Sequence, residues 1–308
     1  MPELPDIELY LSALRSRIVG EKLERVRLAT PFLLRSVEPP LDAAFGQTVH
    51  GLRRIGKRIV WELEGGLFLV FHLMIAGRFK WRDRGTAVPR KVGLAAFDFP
   101  PGTLLLTEAA TQKRASLHVV RGEGALAAFD PGGLEPVGSS VDAFGEALRK
   151  ESHTLKRALT DPHLFSGIGN AYSDEILHRA RLSPFKLARQ LTPDELARLH
   201  AATLETLTEW TGRLQSEAGG AFPEKVTAFH TGMAVHGRFG QPCPRCGTAV
   251  QRIVHGEHEV NYCPSCQTEG RLLADRALSK LMKDDWPKTV EEMERRRKVG
   301  ESGESEES

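Results

Sequence analysis

The 308-residue sequence lacks an apolar run long enough to cross a bilayer. Its longest, LFLVFHLMIAG, is interrupted by His72 and falls short of the roughly 20 residues that a spanning helix needs. The N-terminus also lacks the basic and apolar regions of a secretion signal, so a cytoplasmic address is expected. Cysteine is scarce, with 4 in the chain, and no internal repeat or magnesium-binding motif is visible. Charge of one sign is nearly missing too, the formal balance being +2. Four of the 40 acidic groups lie in the terminal ESGESEES, which leaves residues 1–300 with 42 basic against 36 acidic groups. This mild basic excess permits a polyanion partner without requiring one. What is present, 41% apolar and 27% charged residues, describes a globular chain with a real core and about two domains.

The few cysteines are informative by position. Cys243 and Cys246 form CPRC, and Cys263 and Cys266 form CPSC, with sixteen residues between the pairs. Two thiolates at i and i+3 on a tight turn meet one tetrahedral ion, and the intervening GTAVQRIVHGEHEVNY reads as a β-hairpin turning near Gly256 that returns the second pair. Four thiolates leave no open coordination position, so the expected ion is one structural zinc. Two disulfides are the other reading, which the absence of a secretion signal disfavours.

Residues 1–130 alternate in the β manner. KRIVWELEGGLFLVFHL reads as two strands around EGG, and LAAFDFPPGTLLLTE as another pair around PPG, with one helix near DIELYLSALRSRI. DPGGLEPVGSS marks a linker. Beyond it VDAFGEALRK, HTLKRALTD, NAYSDEILHRARL and TPDELARLHAATLETLTEWTGRL repeat at helical period, the last opening with Thr192, Pro193 and Glu195 as a capping box. In LFSGIGNAYSDEI, Gly167 and Gly169 form a turn between helices, with Asn170 as the expected N-cap; such a turn can offer backbone N–H groups to an anion, or serve packing alone. The acidic tail is expected to be disordered. At the other end, MPELPDIELY places Pro2 after the initiator. Removal of Met1 would expose a secondary amine that is partly neutral at cellular pH and so a candidate nucleophile.

Taken together, PELPDIE, GIGNAYSDEI and a finger introduced by HGRFGQPCPRCG resemble the formamidopyrimidine-DNA glycosylase and endonuclease VIII family, in the same order over residues 1 to about 270. The resemblance implies an α+β fold: an N-terminal β-sandwich with flanking helices at 1–130, a linker at 131–150, a helical helix-two-turn-helix domain at 151–240, a zinc-ribbon finger at 241–270 and a C-terminal extension at 271–308. It implies a DNA glycosylase with abasic-site lyase activity acting on damaged double-stranded DNA held between the domains, as a monomer in the bacterial cytoplasm, associated with the nucleoid. Pro2 matches the family's nucleophile, Glu3 its acid and Lys57 a lysine that contacts phosphate near the lesion. A secondary amine can form only a cationic iminium, an electron sink that no N–H loss can quench, so no organic cofactor is implied. Lys156 matches a lysine facing the active site. Gly167, Gly169 and Asn170 match the phosphate-gripping turn, contacts that position without reading sequence.

Four departures bear on the substrate. Where the family reads about His-Leu-Gly-Met-Ser-Gly-Arg, HLMIAGR puts Ile75 at the wedge that fills the emptied base stack and Met74 where glycine is usual; Ile75 as a strand-end core residue is the competing reading. Where the family probes the opposite strand with Asp-Pro-Arg-Arg-Phe-Gly, TQKRAS supplies Lys113, Arg114 and Ala115, without the stacking phenylalanine and with one planar fork fewer. GAFPEKVTAFHTGMAVH, residues 220–236, is shorter than the segment that caps an oxidised purine, which places oxidised pyrimidines, formamidopyrimidines and abasic sites on an equal footing. His258 stands for the finger's usual arginine, beside Glu257 and Glu259. A non-catalytic DNA-damage-binding protein on the same scaffold is the main rival; a zinc-ribbon interaction module explains only the cysteines.

Overall fold

The protein was analysed as a computed structural model that describes residues 1–227, 229–255, 258–273, 287–293 and 295. The tail expected to be disordered lies outside the described residues, as do the turn near Gly256 and the side chain of His258. Two compact units emerge, and neither is continuous in sequence.

The first unit comprises residues 1–137, 162–168 and 207–228. It opens with α1, Leu4–Ile18, whose Pro5 sits in the first turn where no helical N–H partner is lost. Eight strands follow: β1 (Arg25–Leu28), β2 (Val49–Ile55), β3 (Arg58–Leu63), β4 (Leu67–His72), β5 (Gly77–Arg82), β6 (Gly93–Phe99), β7 (Gly102–Glu108) and β8 (Ser116–Arg121). They form two antiparallel four-stranded sheets, ordered β1-β6-β7-β5 and β2-β3-β4-β8. Both expected hairpins are present, Leu63 pairing with Leu67 around the EGG turn and Phe99 with Gly102 around the proline pair.

Aromatic side chains from both sheets meet in the core. Trp61 of β3 lies 4.6 Å from Phe71 of β4 and 5.2 Å from Phe97 of β6, while Phe71 stands edge-on to Phe79 of β5 at 5.4 Å. Tyr10 extends this cluster to α1: it meets Phe79 edge-on at 5.5 Å, and its hydroxyl accepts the Phe79 N–H. Such pairs add about 0.5–1.5 kcal/mol each beyond area burial, which fixes α1 on β5. A short helix, α2 (Glu123–Ala127), follows β8.

The second unit comprises residues 138–161, 169–206 and 229 onward. It holds α3 (Val141–Arg149), α4 (Leu155–Thr160), α5 (Asn170–Ala180) and the start of α6 (Pro193–Ala218), whose remainder belongs to the first unit. The capping box is formed as expected: Thr192 Oγ1 accepts the Glu195 N–H at 3.2 Å and the Glu195 carboxylate accepts the Thr192 N–H at 2.9 Å. After α6 come the hairpin β9 (Gln251–His255) and β10 (His258–Tyr262) and the short α7 (Pro264–Thr268). Part of the C-terminal extension returns to the segment just after α7, where the Leu272 N–H donates to Lys288 O at 2.9 Å and the Val290 N–H to Gly270 O at 3.1 Å.

These units cut across the boundaries read from sequence. The stretch 131–150 is not wholly a linker, since Ser140 caps α3 inside it, and residues 162–168 and 207–228 pack with the N-terminal sheets. The excursion is invisible to local composition because its apolar residues keep an ordinary helical pattern whichever core they enter. Among the described residues no helix is long and apolar enough to cross a membrane.

Candidate functional site

The sequence PELPDIE folds as it does because Glu3 is the N-cap of α1. Its N–H donates to Asp6 Oδ2 at 2.8 Å, and its side chain makes the return contact to the Asp6 backbone that completes a capping box. Pro2 and Glu3 are both buried. The next N–H, that of Leu4, donates at 2.9 Å to the carbonyl of Gly167. Gly167 has φ +79°, and a Cβ there would fall 2.9 Å from both Leu4 Cβ and Arg54 Nη1, so only glycine permits this approach. Two motifs far apart in sequence, at Leu4 and Gly167, are thus in direct contact.

Arg54 of β2, which the sequence reading missed, holds them there. Its guanidinium donates to Gly56 O at 2.8 Å and Ser166 Oγ at 3.1 Å, and pairs with Glu8 at 3.2 Å and Glu135 at 2.6 Å. Gly56 and Lys57 form the β2–β3 turn, so Arg54 links α1, the turn that carries Lys57 and the residue before Gly167. The only sequence signal was its place in RRIGK, close to Lys57.

The terminal amine of Met1 reports the electrostatics of this corner. Burial pushes its pKa below the ordinary 8.0; Glu3 and Asp6 oppose that, and Arg78 and Lys57 reinforce it. Glu3 and Lys57 therefore both act on the chain terminus, joined by Arg78, a second residue the sequence reading did not single out. Arg78 also lines a cavity of about 370 Å³ with Lys80, Thr107, Glu224, Lys225 and Val226. The shortened segment after α6 forms one wall and is pinned in place: Arg82 pairs with Glu224, Arg17 donates to Gly220 O at 3.1 Å, and Phe222 packs 6.1 Å from Tyr10. Close by in the fold, burial brings the imidazole of His72 down to about 4, with Arg58, Lys57 and His118 adding to the shift.

The turn Leu73–Gly77 presents Ile75 to solvent at 57% exposure, which overturns its reading as a strand-end core residue. Met74 is left-handed, φ +53°, the conformation that explains glycine as the usual residue there. The Gly77 N–H closes the turn on Leu73 O at 2.9 Å, and Arg78 Nη1 braces it at Ile75 O, 3.0 Å. The loop 109–115 differs from its expected use. Lys113 Nζ turns back onto the carbonyls of Glu108 and Ala110, and buried Glu108 accepts the N–H groups of Arg114 and Ala115. Lys113 thus braces the loop, whereas the exposed Arg114 guanidinium donates to Gln112 Oε1, 3.1 Å away, on the same loop.

In the second unit Gly169, not Asn170, is the N-cap of α5, and Asn170 is its first helical residue. Gly169 is extended, and its carbonyl takes both the Ser173 N–H and the Ser173 hydroxyl, leaving the cap position to backbone. Lys156, expected to face the active site, is held inside the second unit. Its Nζ is buried against Asp174 Oδ1 at 2.5 Å and Asn170 O at 2.6 Å, because a buried carboxylate on α5 outcompetes solvent for it. Asp174 also meets His236 Nδ1 at 2.8 Å and Asn261 Nδ2 at 3.2 Å. Its neighbour Glu175 accepts the backbone N–H groups of Ala234, Val235 and His236 at 2.7–2.9 Å; burial raises its pKa, and those three bonds oppose the rise.

Cys243, Cys246, Cys263 and Cys266 bring their Sγ atoms within 4.8 Å of one another. Sγ–Sγ distances of 4.0, 3.4 and 3.5 Å lie around the ~3.8 Å edge of a tetrahedron with ~2.3 Å zinc–sulfur bonds. Burial raises the Cys266 thiol to about 11 and Cys263 further still. Cys246, despite burial, is brought down to about 6 by hydrogen bonds from Thr248 and the facing thiols. Four thiols competing to stabilise one thiolate are what a divalent cation resolves, so the donor set fits one structural zinc.

Three family descriptions match the sequence in order: the formamidopyrimidine-DNA glycosylase N-terminal domain over residues 1–118, the formamidopyrimidine-DNA glycosylase H2TH domain over 133–216, and a zinc finger found in FPG and IleRS over 240–268. A formamidopyrimidine-DNA glycosylase of Thermus thermophilus is 35% identical over 277 residues, covering 88% of this chain and 100% of the relative. A Lactococcus lactis FPG complexed with Fapy-dG-containing DNA superposes with a TM-score of 0.77 at 26% identity, over 86% of this chain and 100% of that one. A complex of the wild-type L. lactis protein with DNA containing an oxidised pyrimidine gives 0.76 at 26% identity, over 87% and 100%. With three matched segments in this order and a relative aligned over its whole length, the chain belongs to the formamidopyrimidine-DNA glycosylase family.

Proposed function

We propose that the protein excises oxidised bases from double-stranded DNA and cleaves the resulting abasic site through the amine of Pro2. After Met1 is removed, the Pro2 nitrogen attacks C1′ of the damaged nucleotide, the base departs with a proton, and the iminium acidifies the neighbouring sugar carbon for β and then δ elimination. Glu3 supplies and takes up protons as the sugar ring opens. The observation that carries this reading is the placement of Pro2 and Glu3, buried at the capped start of α1 where the Leu4 N–H meets the Gly167 carbonyl, in a corner whose burial, Arg78 and Lys57 lower the pKa of the Met1 amine against the opposing Glu3 and Asp6.

Lys57 and Arg114 would contact phosphate and base edges, Ile75 would fill the emptied stack, and the start of α5 at Gly169 and Asn170 would grip phosphate. Lys113 and Lys156 serve instead as braces in this reading, since their Nζ atoms are already bonded within the protein. The cavity beside Arg78 is the candidate seat of the extruded base, and its cations and hydroxyl suit a ring bearing extra carbonyl oxygens, the feature that formamidopyrimidines and oxidised pyrimidines share. A monomer acting in the bacterial cytoplasm completes the reading.

The test is borohydride trapping on a duplex with one abasic site. Wild type should give a covalent adduct, and both Pro2→Thr and a form retaining extra N-terminal residues should give none. Zinc-loaded, N-terminally processed protein that binds this duplex but is never trapped would instead establish the non-catalytic damage binder.

A further inference from the structure

The finger is mounted on α5 by side-chain bonds, and one of them ends on a metal ligand. His178, near the C-terminus of α5, is 4% exposed, and its Nε2 lies 3.2 Å from Sγ of Cys243, itself 2% exposed. Arg245, between the two cysteines of the first knuckle, donates in return to His178 O at 3.2 Å. The second knuckle is fastened in the same region: Gln267 accepts the Cys263 N–H at 2.8 Å and donates to Leu182 O at 3.0 Å. Nothing in the cysteine spacing points to His178, which lies 65 residues upstream of Cys243.

We propose that His178 is an outer-sphere partner of the finger's zinc, donating its Nε2–H to the Cys243 thiolate and so slowing loss of the metal. Four thiolates around one divalent ion carry a net charge of −2, and in a buried site that excess is costly unless N–H donors share it. Cys243 is the more buried cysteine of its knuckle and the farther from solvent compensation. An N–H aimed at its sulfur from a helix that is otherwise bonded through Lys156, Asp174 and Glu175 is a rigid donor, placed before the metal arrives. The inference concerns metal retention and is independent of which lesion the protein accepts.

Zinc release from the full-length holoprotein into excess chelator, under reducing conditions, reads it directly. His178→Phe keeps a ring of similar size and loses the donor; it should release zinc roughly 10- to 100-fold faster than wild type. His178→Gln, which restores an N–H, should recover most of that loss. Release from His178→Phe at the wild-type rate overturns the proposal, and so does equally fast release from both variants, which would assign the effect to packing. Should His178→Phe fail to fold, the tautomer in the zinc-loaded wild type decides: long-range 1H–15N correlation must show the proton on Nε2, and a proton on Nδ1 alone overturns the assignment.

Discussion

At the scale of single residues, the least conspicuous positions carry the largest consequences. Arg54 is almost fully enclosed and bonded to four partners, so Arg54→Met should destabilise the protein by about 2–4 kcal/mol in urea unfolding. Arg54→Lys should recover little of this, because a point charge cannot bond in four directions from one plane. Met74 illustrates two effects that nearly cancel. A left-handed non-glycine costs about 1–2 kcal/mol, while glycine gives up about 0.4–1 kcal/mol to the looser unfolded chain. Met74→Gly should therefore shift stability by less than about 1 kcal/mol, and the β-branched Met74→Ile should destabilise by more than that. His72 sets a pH dependence. Its folded pKa of about 4 lies below the ordinary 6.5, so below pH 6.5 the unfolded chain binds a proton that the folded protein refuses. Stability present above pH 6.5 should fall by up to about 3 kcal/mol on the way to pH 4, and His72→Gln should flatten that slope.

Elements were legible in the sequence where a local rule decides them. The EGG and proline-pair hairpins, the Thr192–Glu195 capping box and the cysteine knuckles all formed as read, since turn chemistry and metal spacing need no distant partner. Asn170 was misread as a cap because its side chain suits the role, whereas the backbone gives the position to Gly169, whose carbonyl is taken by Ser173. Lys113 was read as part of the opposite-strand probe and Lys156 as facing the active site, because nothing local reveals the carbonyls and the buried Asp174 that hold them. Arg54 and His178 escaped notice for the same reason: their partners lie on other elements. Glu175 is the clearest instance of a side chain standing in for secondary structure, since it accepts three successive N–H groups from a segment with no strand to pair with. Glu175→Ala should cost about 2–4 kcal/mol and abolish hydrogen-exchange protection at Ala234, Val235 and His236.

At the scale of the whole molecule, each unit has its own source of stability, and they should separate under stress. The first rests on an aromatic core, whereas the finger's own core is little more than Val235, Val250 and the cysteines. Stripping the metal with a chelator should erase exchange protection in β9 and β10 while the near-ultraviolet signal of Trp61 and its neighbours persists. DNA affinity, on the proposed function, should fall with salt, and Lys57→Ala should reduce the slope of log affinity against log salt by about 0.9 if that side chain neutralises one phosphate.

The bond from the Leu4 N–H to the Gly167 carbonyl also has a history. Residue 4 leaves the ribosome early, but its partner follows only after 163 more residues have been joined. At about 5–20 residues per second, the first helix waits on the order of ten seconds or more for the acceptor that seats its tip. The tip of α1 is in this respect among the last parts of the fold to be finished, and a nascent chain released before Gly167 would carry Pro2 and Glu3 without the acceptor that seats the start of their helix.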